Sequence, residues 1–290
     1  MNNQLKGLLL TLSGVVLMSF ESPIIRYSGL DGFTVAFFYG LCIIAATNLV
    51  MLFQGKKFFI QSYTKSYKGV LLAGFFMGLS NFCFVMAVTY AGIAKTVLIL
   101  ATAPIGTALI AWIFLKQKTP KRIFIATIFV FIGLYIILHD SLDGESLIGS
   151  LFAFGCVLSF STMFCVLSFY KEASRVGYVS VAGVAVCLFS LAGANLSVGF
   201  EALIPIILMG IFITPLSRAF LGQGTRYLIP AEVGLLVIAE SILAPIWGWL
   251  FLDEMINTNT FIGGSIILVS LVVNSLIALN QAKFNKSQGR

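Results

Sequence analysis

The chain has 290 residues, of which 59% are hydrophobic and only 10% are charged. Soluble domains are roughly 45–50% apolar and about 25% charged, so this composition excludes an ordinary soluble protein and favours a membrane protein. The formal net charge is +7, but the basic residues lie in short segments without an aromatic-basic groove, which argues against nucleic-acid binding.

Long apolar segments predict an all-α integral membrane protein with ten transmembrane helices. A helix needs about 20 apolar residues to cross a bilayer. Because lipid offers the backbone no hydrogen-bond partner, such long and uniform runs are typical of helices, whereas barrel strands alternate. In chain order, the ten segments are 5–26, 31–53, 67–90, 93–115, 121–139, 147–170, 177–199, 202–224, 229–252 and 259–281.

An internal repeat divides the chain into two halves. The stretch 90–124 returns as 227–261 at a constant spacing of 137 residues. The loop after the first copy is basic (Lys116, Lys118), whereas the loop after the second copy is acidic (Asp253, Glu254). We therefore expect two five-helix repeats, 1–140 and 141–290, inverted relative to each other around a central cavity, as in many secondary transporters.

The distribution of charged residues predicts the orientation. Lysines and arginines concentrate on the loops and tails of one side of the membrane, and by the positive-inside rule this side is cytoplasmic. The opposite loops carry most of the acidic residues. We therefore expect a multi-pass protein of the inner (cytoplasmic) membrane with both termini in the cytoplasm.

Charged residues within the apolar segments are the first functional candidates, since each costs about 2.5–3.5 kcal/mol to insert. Glu240 lies in the middle of the ninth segment, and Trp247, seven residues later, falls on nearly the same helical face. A carboxylate beside an indole favours binding of an ammonium group by charge and cation–π attraction. The alternative is a protonated or hydrogen-bonded residue that ties helices together.

Glu21 lies in the outer half of the first segment, immediately before Ser22 and Pro23. Proline frees the carbonyl four residues earlier, so we expect a kink beside the acid. This arrangement suits a gate or a proton-binding site. The alternative is an interfacial glutamate paired with Arg26.

Further candidates are less sharply defined. Arg218 is expected to pair with Glu240 or to bind a substrate carboxylate, or else to extend to the interface. Asn81 suits either a substrate hydrogen bond or a bond between helices. Lys95, at the start of the fourth segment, is a candidate for the outer mouth. The prolines expected to bend helices near the transport path are Pro23, Pro104, Pro215 and Pro245.

The sequence argues against an intramembrane enzyme and indicates no metal or other cofactor. The single histidine, His139, lies at the edge of a segment, and the five cysteines have no zinc-site spacing. A nucleophile with a base at the same depth is not evident either. A passive channel and a scaffold remain as rival classes.

Several motifs resemble the EamA-like branch of the drug/metabolite transporter superfamily. The most specific stretches are 99–104, 226–233 and 244–254, which closes on Glu254. In the first half, Gln117 stands at the position corresponding to Glu254. The resemblance implies a secondary transporter that moves a small metabolite, an amino acid or related compound, most simply by export. A multidrug or cationic-amine exporter is the alternative.

The mechanism expected from the repeats is alternating access, with the buried acids as candidates for proton coupling. The partners expected are a small-molecule substrate, the lipid bilayer and protons, and no nucleic acid. Both a monomer and a homodimer fit the sequence.

Overall fold

The structure, a computed structural model, describes residues 3–116, 121–139, 144–170, 172–224, 227 and 236–288. Within these ranges all regular secondary structure is helical. Six of the helical segments described are long and apolar enough to cross a membrane, namely 5–27, 32–53, 67–91, 93–113, 147–169 and 200–218. The chain is therefore an all-α membrane protein, as its composition predicts.

Helices in the first half follow the predicted segments, and an additional short helix is present. The sequence places 54–66 in a loop, but nine of these residues form a helix whose Tyr63 hydroxyl donates to the Asn48 side chain at 2.6 Å. The helices are α1 (Asn3–Met18), α2 (Glu21–Tyr27), α3 (Gly32–Phe53), α4 (Lys56–Thr64), α5 (Tyr67–Ala91), α6 (Ile93–Leu100), α7 (Ala103–Leu115) and α8 (Lys121–His139).

In the second half, the predicted seventh segment ends early. Its helix stops at Ser190 rather than at residue 199, because the backbone then turns: the Asn195 N–H donates to Thr34 at 2.8 Å and the Asn195 side chain accepts from Ser197 at 2.9 Å. The elements are α9 (Gly144–Phe169), α10 (Arg175–Ser190), α11 (Phe200–Leu208), a π-helical turn (Met209–Ile213), α12 (Thr214–Gly224), α13 (Glu240–Leu252) and α14 (Thr258–Gln288).

Four of the predicted spans are interrupted near their middle. The first span breaks at residues 19–20, where Pro23 has no N–H to offer the Ser19 carbonyl. The fourth breaks at 101–102, just before Pro104, and the eighth passes through the π-helical turn just before Pro215. In the ninth span the turn lies at 238–239, so Pro245 lies inside α13 rather than at the break.

Small residues let the helices pack closely. A Cβ at Gly74 would lie 2.5 Å from Val181 Cβ, and one at Gly78 would lie 2.5 Å from Ala185 Cβ, so α5 and α10 are in direct backbone contact. The Gly74–Gly78 pair thus forms a helix-packing face, as its GxxxG spacing predicts. Elsewhere α1 packs along α12, α5 along α9, α3 along α10, and α8 along α14.

Two opposite ends of the bundle can be defined by their loops. Among the described residues, the basic end comprises the connections 54–55, 65–66, 116, 170 and 172–174. The acidic end comprises 28–31, 92, 191–199 and 253–257. The helix interruptions lie between these ends, in the middle of the bundle.

Candidate functional site

Helix interruptions bring two charged residues together in the middle of the bundle. Glu21 is the first residue of α2, and Arg218 lies in the first turns of α12. Arg218 Nη2 is 3.6 Å from Glu21 Oε2, with the Glu21 side chain only 5% exposed and the Arg218 side chain 38% exposed. A buried charge in a membrane protein is costly unless it is paired, so this ion pair offsets the cost of both groups.

The pair leaves hydrogen-bonding capacity unused. Among the described residues, Glu21 Oε1 and Arg218 Nε are buried and have no hydrogen-bond partner, and Arg218 Nη1 donates to the soft Met18 sulfur at 2.9 Å. Most buried polar atoms in proteins are hydrogen-bonded. An unmatched acceptor beside an unmatched donor is therefore the arrangement expected of a ligand site.

Neutral polar groups from two further helices surround Glu21. The Thr214 hydroxyl lies close to the Glu21 carboxyl, and the buried Tyr39 hydroxyl is 3.5 Å from Thr214 Oγ1. Tyr39 belongs to α3, whereas Thr214 begins α12 directly after the π-helical turn. The cluster therefore joins α2, α3 and α12.

Stacked aromatic side chains lie beside the interruption of the first span. The Trp247 indole N–H donates to Ser19 Oγ at 2.9 Å, and its ring stacks on Phe20 with centroids 4.8 Å apart. Phe251 also stacks on Trp247, with ring centroids 5.9 Å apart. Ser19 and Phe20, the two residues at the interruption after α1, are thus the ones that contact Trp247 of α13.

Glu240 is the first residue of α13 and is half-buried. It interacts electrostatically with both Glu21 and Arg218. At a helix N-terminus a carboxylate is favoured by the helix dipole. One cation and two acids, contributed by α2, α12 and α13, thus belong to one electrostatic group.

Two pairings differ from those expected from sequence. Arg218 forms its ion pair with Glu21 rather than with Glu240. Arg26 pairs with Glu254, at 3.7 Å, rather than with Glu21. Five residues along a helix correspond to a rotation of about 140°, so Glu21 and Arg26 project from different faces of α2.

The remaining candidates occupy other positions. Asn81 is half-buried in the middle of α5, and Lys95 is half-buried in the first turn of α6. The five cysteines are free; Cys187 is half-buried and the other four are buried. His139 ends α8.

Sequence reasoning missed the neutral members of the site. Tyr39, Thr214, Ser19 and Phe20 lie in apolar segments in which aromatic and hydroxyl residues recur every few positions. Phe20 and Ser19 do precede Glu21 and Pro23 directly, so the predicted kink was the signal that could have identified them.

Comparison with known proteins gives a family match and a structural match. Residues 5–139 match the model of the EamA-like transporter family. A solved protein, titled only as a crystal structure, superposes with a TM-score of 0.64 at 14% identity, covering 95% of this chain and 98% of that chain. At this identity the likeness shows the fold alone. The curated protein sequences give no match.

Proposed function

Since this chain belongs to the EamA-like transporter family, within the drug/metabolite transporter superfamily, we propose that it carries a small metabolite across the cytoplasmic membrane by alternating access. The family match supports a multi-pass membrane transporter of this superfamily. The substrate class we favour is an amino acid or a related compound, and the direction we favour is export.

We propose that the carrier consists of two inverted five-helix repeats, 1–140 and 141–290, with ten spans in total. The geometry of α7 and α13 supports this arrangement. Both helices have 13 residues, both follow a two-residue turn, and both end on a residue with positive φ, Lys116 at 51° and Asp253 at 52°. Those residues are 137 positions apart, which is the spacing of the sequence repeat.

Helix packing supports the same symmetry. If spans one to five correspond to spans six to ten, span three corresponds to span eight and span six to span one. A contact between spans three and six must then have an equivalent contact between spans eight and one. The first pair is α5 with α9, and the second is α12 with α1. The pairs α3 with α10 and α8 with α14 each correspond to themselves.

The predicted orientation is supported by contacts at the basic end. Lys65 Nζ lies 2.9 Å from Glu172 Oε2, and the pKa of that carboxyl is lowered by this hydrogen bond and by the lysine charge. The contact joins the loop after the second span to the loop after the sixth. We propose that this end faces the cytoplasm, together with both termini.

The observation that carries the transport proposal is the Glu21–Arg218 pair with its unmatched oxygen and nitrogen. It joins the first and eighth spans, one from each proposed half, near the middle of the bundle. Repeat transporters bind their substrates at such an interface, near the bilayer midplane and beside interrupted helices. We propose that Glu21, Arg218, Glu240 and Trp247 contribute to the substrate site.

A cationic-amine or multidrug exporter is the second candidate. Two acidic side chains lie in one electrostatic group with a single guanidinium, and Trp247 and Phe20 supply aromatic rings for cation–π contact with an amine. An amino acid would use Arg218 for its carboxylate, whereas an amine would not. The Arg218→Gln variant therefore separates the two substrates.

Proton coupling is proposed for the same acids. A carboxylate that exchanges its ion-pair partner for a proton lets substrate and proton use one site alternately. If Glu21→Gln and Glu240→Gln both retained flux driven by a pH gradient, the coupling would be wrong, and uniport or exchange would remain.

The test of transport is counterflow in proteoliposomes preloaded with unlabelled amino acids, amines, nucleosides or carboxylates. We expect saturable uptake of label from one pool, lost in Glu240→Gln and retained in Glu201→Gln, which removes an exposed acid at the acidic end. A channel would give no counterflow. Absence of counterflow with all four pools would count against the proposed carrier.

A further inference from the structure

Glu254 connects three spans at the acidic end of the bundle. Its Oε1 accepts a hydrogen bond from the Ile93 backbone N–H at 2.7 Å, and its Oε2 lies 3.7 Å from Arg26 Nε. Arg26 in turn donates through Nη1 to the Thr89 carbonyl at 3.0 Å. Glu254, the second residue after α13, is thereby tied to the first turn of α6, to the last turn of α2 and, through Arg26, to the end of α5.

Two backbone features make room for this carboxylate. Gly92, between α5 and α6, has a φ of +82°, and a Cβ at this position would collide with Glu254 Oε1. Asp253 has a φ of +52°, which turns the chain so that the Glu254 N–H donates to the Gly248 carbonyl at 3.2 Å. A bare glycine backbone and a left-handed turn therefore bring Glu254 onto the N-terminus of α6.

Below Glu254, α6 and α13 are packed directly against each other. Ala244 is fully buried in a cluster with Ile93 and Val97, and the Ser241 hydroxyl donates to the Val97 carbonyl at 3.2 Å. Gly248 lies close enough to Ile93 that a Cβ would meet its side chain at 2.9 Å. The bundle is thus closed between these helices at the acidic end.

We infer that Glu254 is the latch of a gate at the acidic end. To open a path there, α13 must separate from α6, and this movement breaks the bond to Ile93. The inference rests on the proposed alternating access, in which each end opens in turn.

The two contacts of Glu254 differ in strength. The bond to Ile93 is short, joins a charged acceptor to a helix N-terminus and is charge-assisted. The ion pair is longer, and the Arg26 side chain is 44% exposed, so it contributes little in water. We therefore assign most of the latch to the backbone bond and a smaller part to Arg26.

The positions that the repeat relates to Glu254 and Ile93 do not have the residues for the same latch. The repeat spacing of 137 residues relates Glu254 to Gln117 and Ile93 to Pro230. Glutamine carries no charge and proline has no backbone N–H to donate. A latch at one end alone biases the empty carrier toward a state that is closed at the acidic end, so substrate would be loaded from the basic end.

The gate can be tested with a cysteine placed beneath it. Ala244→Cys is a small change at a buried site, and a membrane-impermeant maleimide added from the acidic side reports each opening. The parent chain without this substitution gives the background from the five native cysteines. We expect labelling in Ala244→Cys/Glu254→Ala to be about tenfold faster than in Ala244→Cys, as for loss of a charge-assisted hydrogen bond.

Three companion variants separate the latch from its alternatives. Arg26→Gln should accelerate labelling about twofold, because the bond between Glu254 and Ile93 remains. Glu254→Gln should accelerate labelling about threefold, because the amide oxygen still accepts from the Ile93 N–H but carries no charge. Glu201→Ala removes another acid at the same end and should change nothing. Equal acceleration by Glu201→Ala would overturn the inference, because the effect would then be one of general charge.

An unchanged rate in Glu254→Ala would also overturn it. If that variant does not fold, unchanged rates in both Glu254→Gln and Arg26→Gln overturn it instead. Labelling requires no substrate, so a failed counterflow experiment leaves this result interpretable, and a failed latch leaves the transport result standing.

Discussion

Replacement of Arg218 by methionine tests whether the central ion pair is electrostatic rather than merely steric. Methionine keeps an unbranched stem and removes the charge. The two partners are unequal, since the Glu21 side chain is 5% exposed and the Arg218 side chain is 38% exposed. Loss of Arg218 leaves a buried, unpaired carboxylate, whereas loss of the Glu21 charge leaves a guanidinium that is still partly exposed.

The magnitudes follow from this difference in burial. Removal of one partner from a buried pair costs about 3–5 kcal/mol. Because Arg218 is more than a third exposed and the contact is 3.6 Å long, we expect the lower limit, about 3 kcal/mol, for Arg218→Met and about 1 kcal/mol for Glu21→Gln. The double variant has no buried charge left at the pair, so it should lose little more than Glu21→Gln alone.

Thermal unfolding of the purified protein in detergent measures these differences. At about 2 °C per kcal/mol, Tm should fall by about 6 °C in Arg218→Met and by about 2 °C in both Glu21→Gln and the double variant. Arg175→Met, which removes an exposed arginine at the start of α10, serves as the matched control. At lower pH the difference in Tm between Arg218→Met and the parent protein should become smaller, because protonation neutralises the carboxylate that has lost its partner.

A double variant whose Tm falls by the sum of the two single changes would refute this reasoning. Independent effects mean that the two side chains stabilise the fold through packing and not through each other. Glu240 also belongs to this electrostatic group, so Glu240→Gln should be measured beside the set to identify its share of the pH dependence.

Two further changes probe packing around the site. Trp247→Phe keeps the ring stack but removes the bond to Ser19, and Tm should fall by about 2 °C, equivalent to one net hydrogen bond of about 1 kcal/mol. Gly78→Leu should abolish monodisperse elution in size-exclusion chromatography, because even a Cβ there would lie 2.5 Å from Ala185 Cβ. The control Gly199→Ala should elute normally, because a Cβ at Gly199 would have no atom within 4 Å.

The sequence predicts the helical scaffold well, because lipid imposes a simple rule on it. Long apolar runs must form helices, and the described residues contain helices in each of the ten segments. The repeat also has a local signal, since Trp112 and Trp249 stand at equivalent positions in helices with matched ends. These features depend on neighbouring residues only.

The site was harder to predict, because it depends on how distant helices are rotated. Glu21 and Arg218 are 197 positions apart, and their meeting requires the interruption at residues 19–20 and the π-helical turn before Thr214. Pro23 and Pro215 closely follow these two interruptions, so the sequence indicates both of them. The turn before Glu240 has no proline at the equivalent distance, so only the repeat indicates its position, 137 residues after the turn at 101–102.

The short helix α2 links the proposed substrate site to the proposed gate. It has seven residues, with Glu21 at its first position and Arg26 in its last turn, and the interruption after Met18 separates it from α1. A helix rises 1.5 Å per residue, so these two charged residues are about 8 Å apart along one rigid element. A substrate that drew Glu21 away from Arg218 would therefore also shift Arg26 relative to Glu254.

That connection explains why the central pair should be a loose one. A bidentate pair with every polar atom matched would hold α2 firmly against α12, and a substrate would have to break all of its bonds. The observed contact is single and 3.6 Å long, and it leaves one acceptor and one donor free. A ligand that fills those positions gains hydrogen bonds before the ion pair separates, so the shift of α2 can begin at small cost. On this reasoning the unsatisfied atoms at the proposed substrate site and the proposed latch at the acidic end are two parts of one proposed transport cycle.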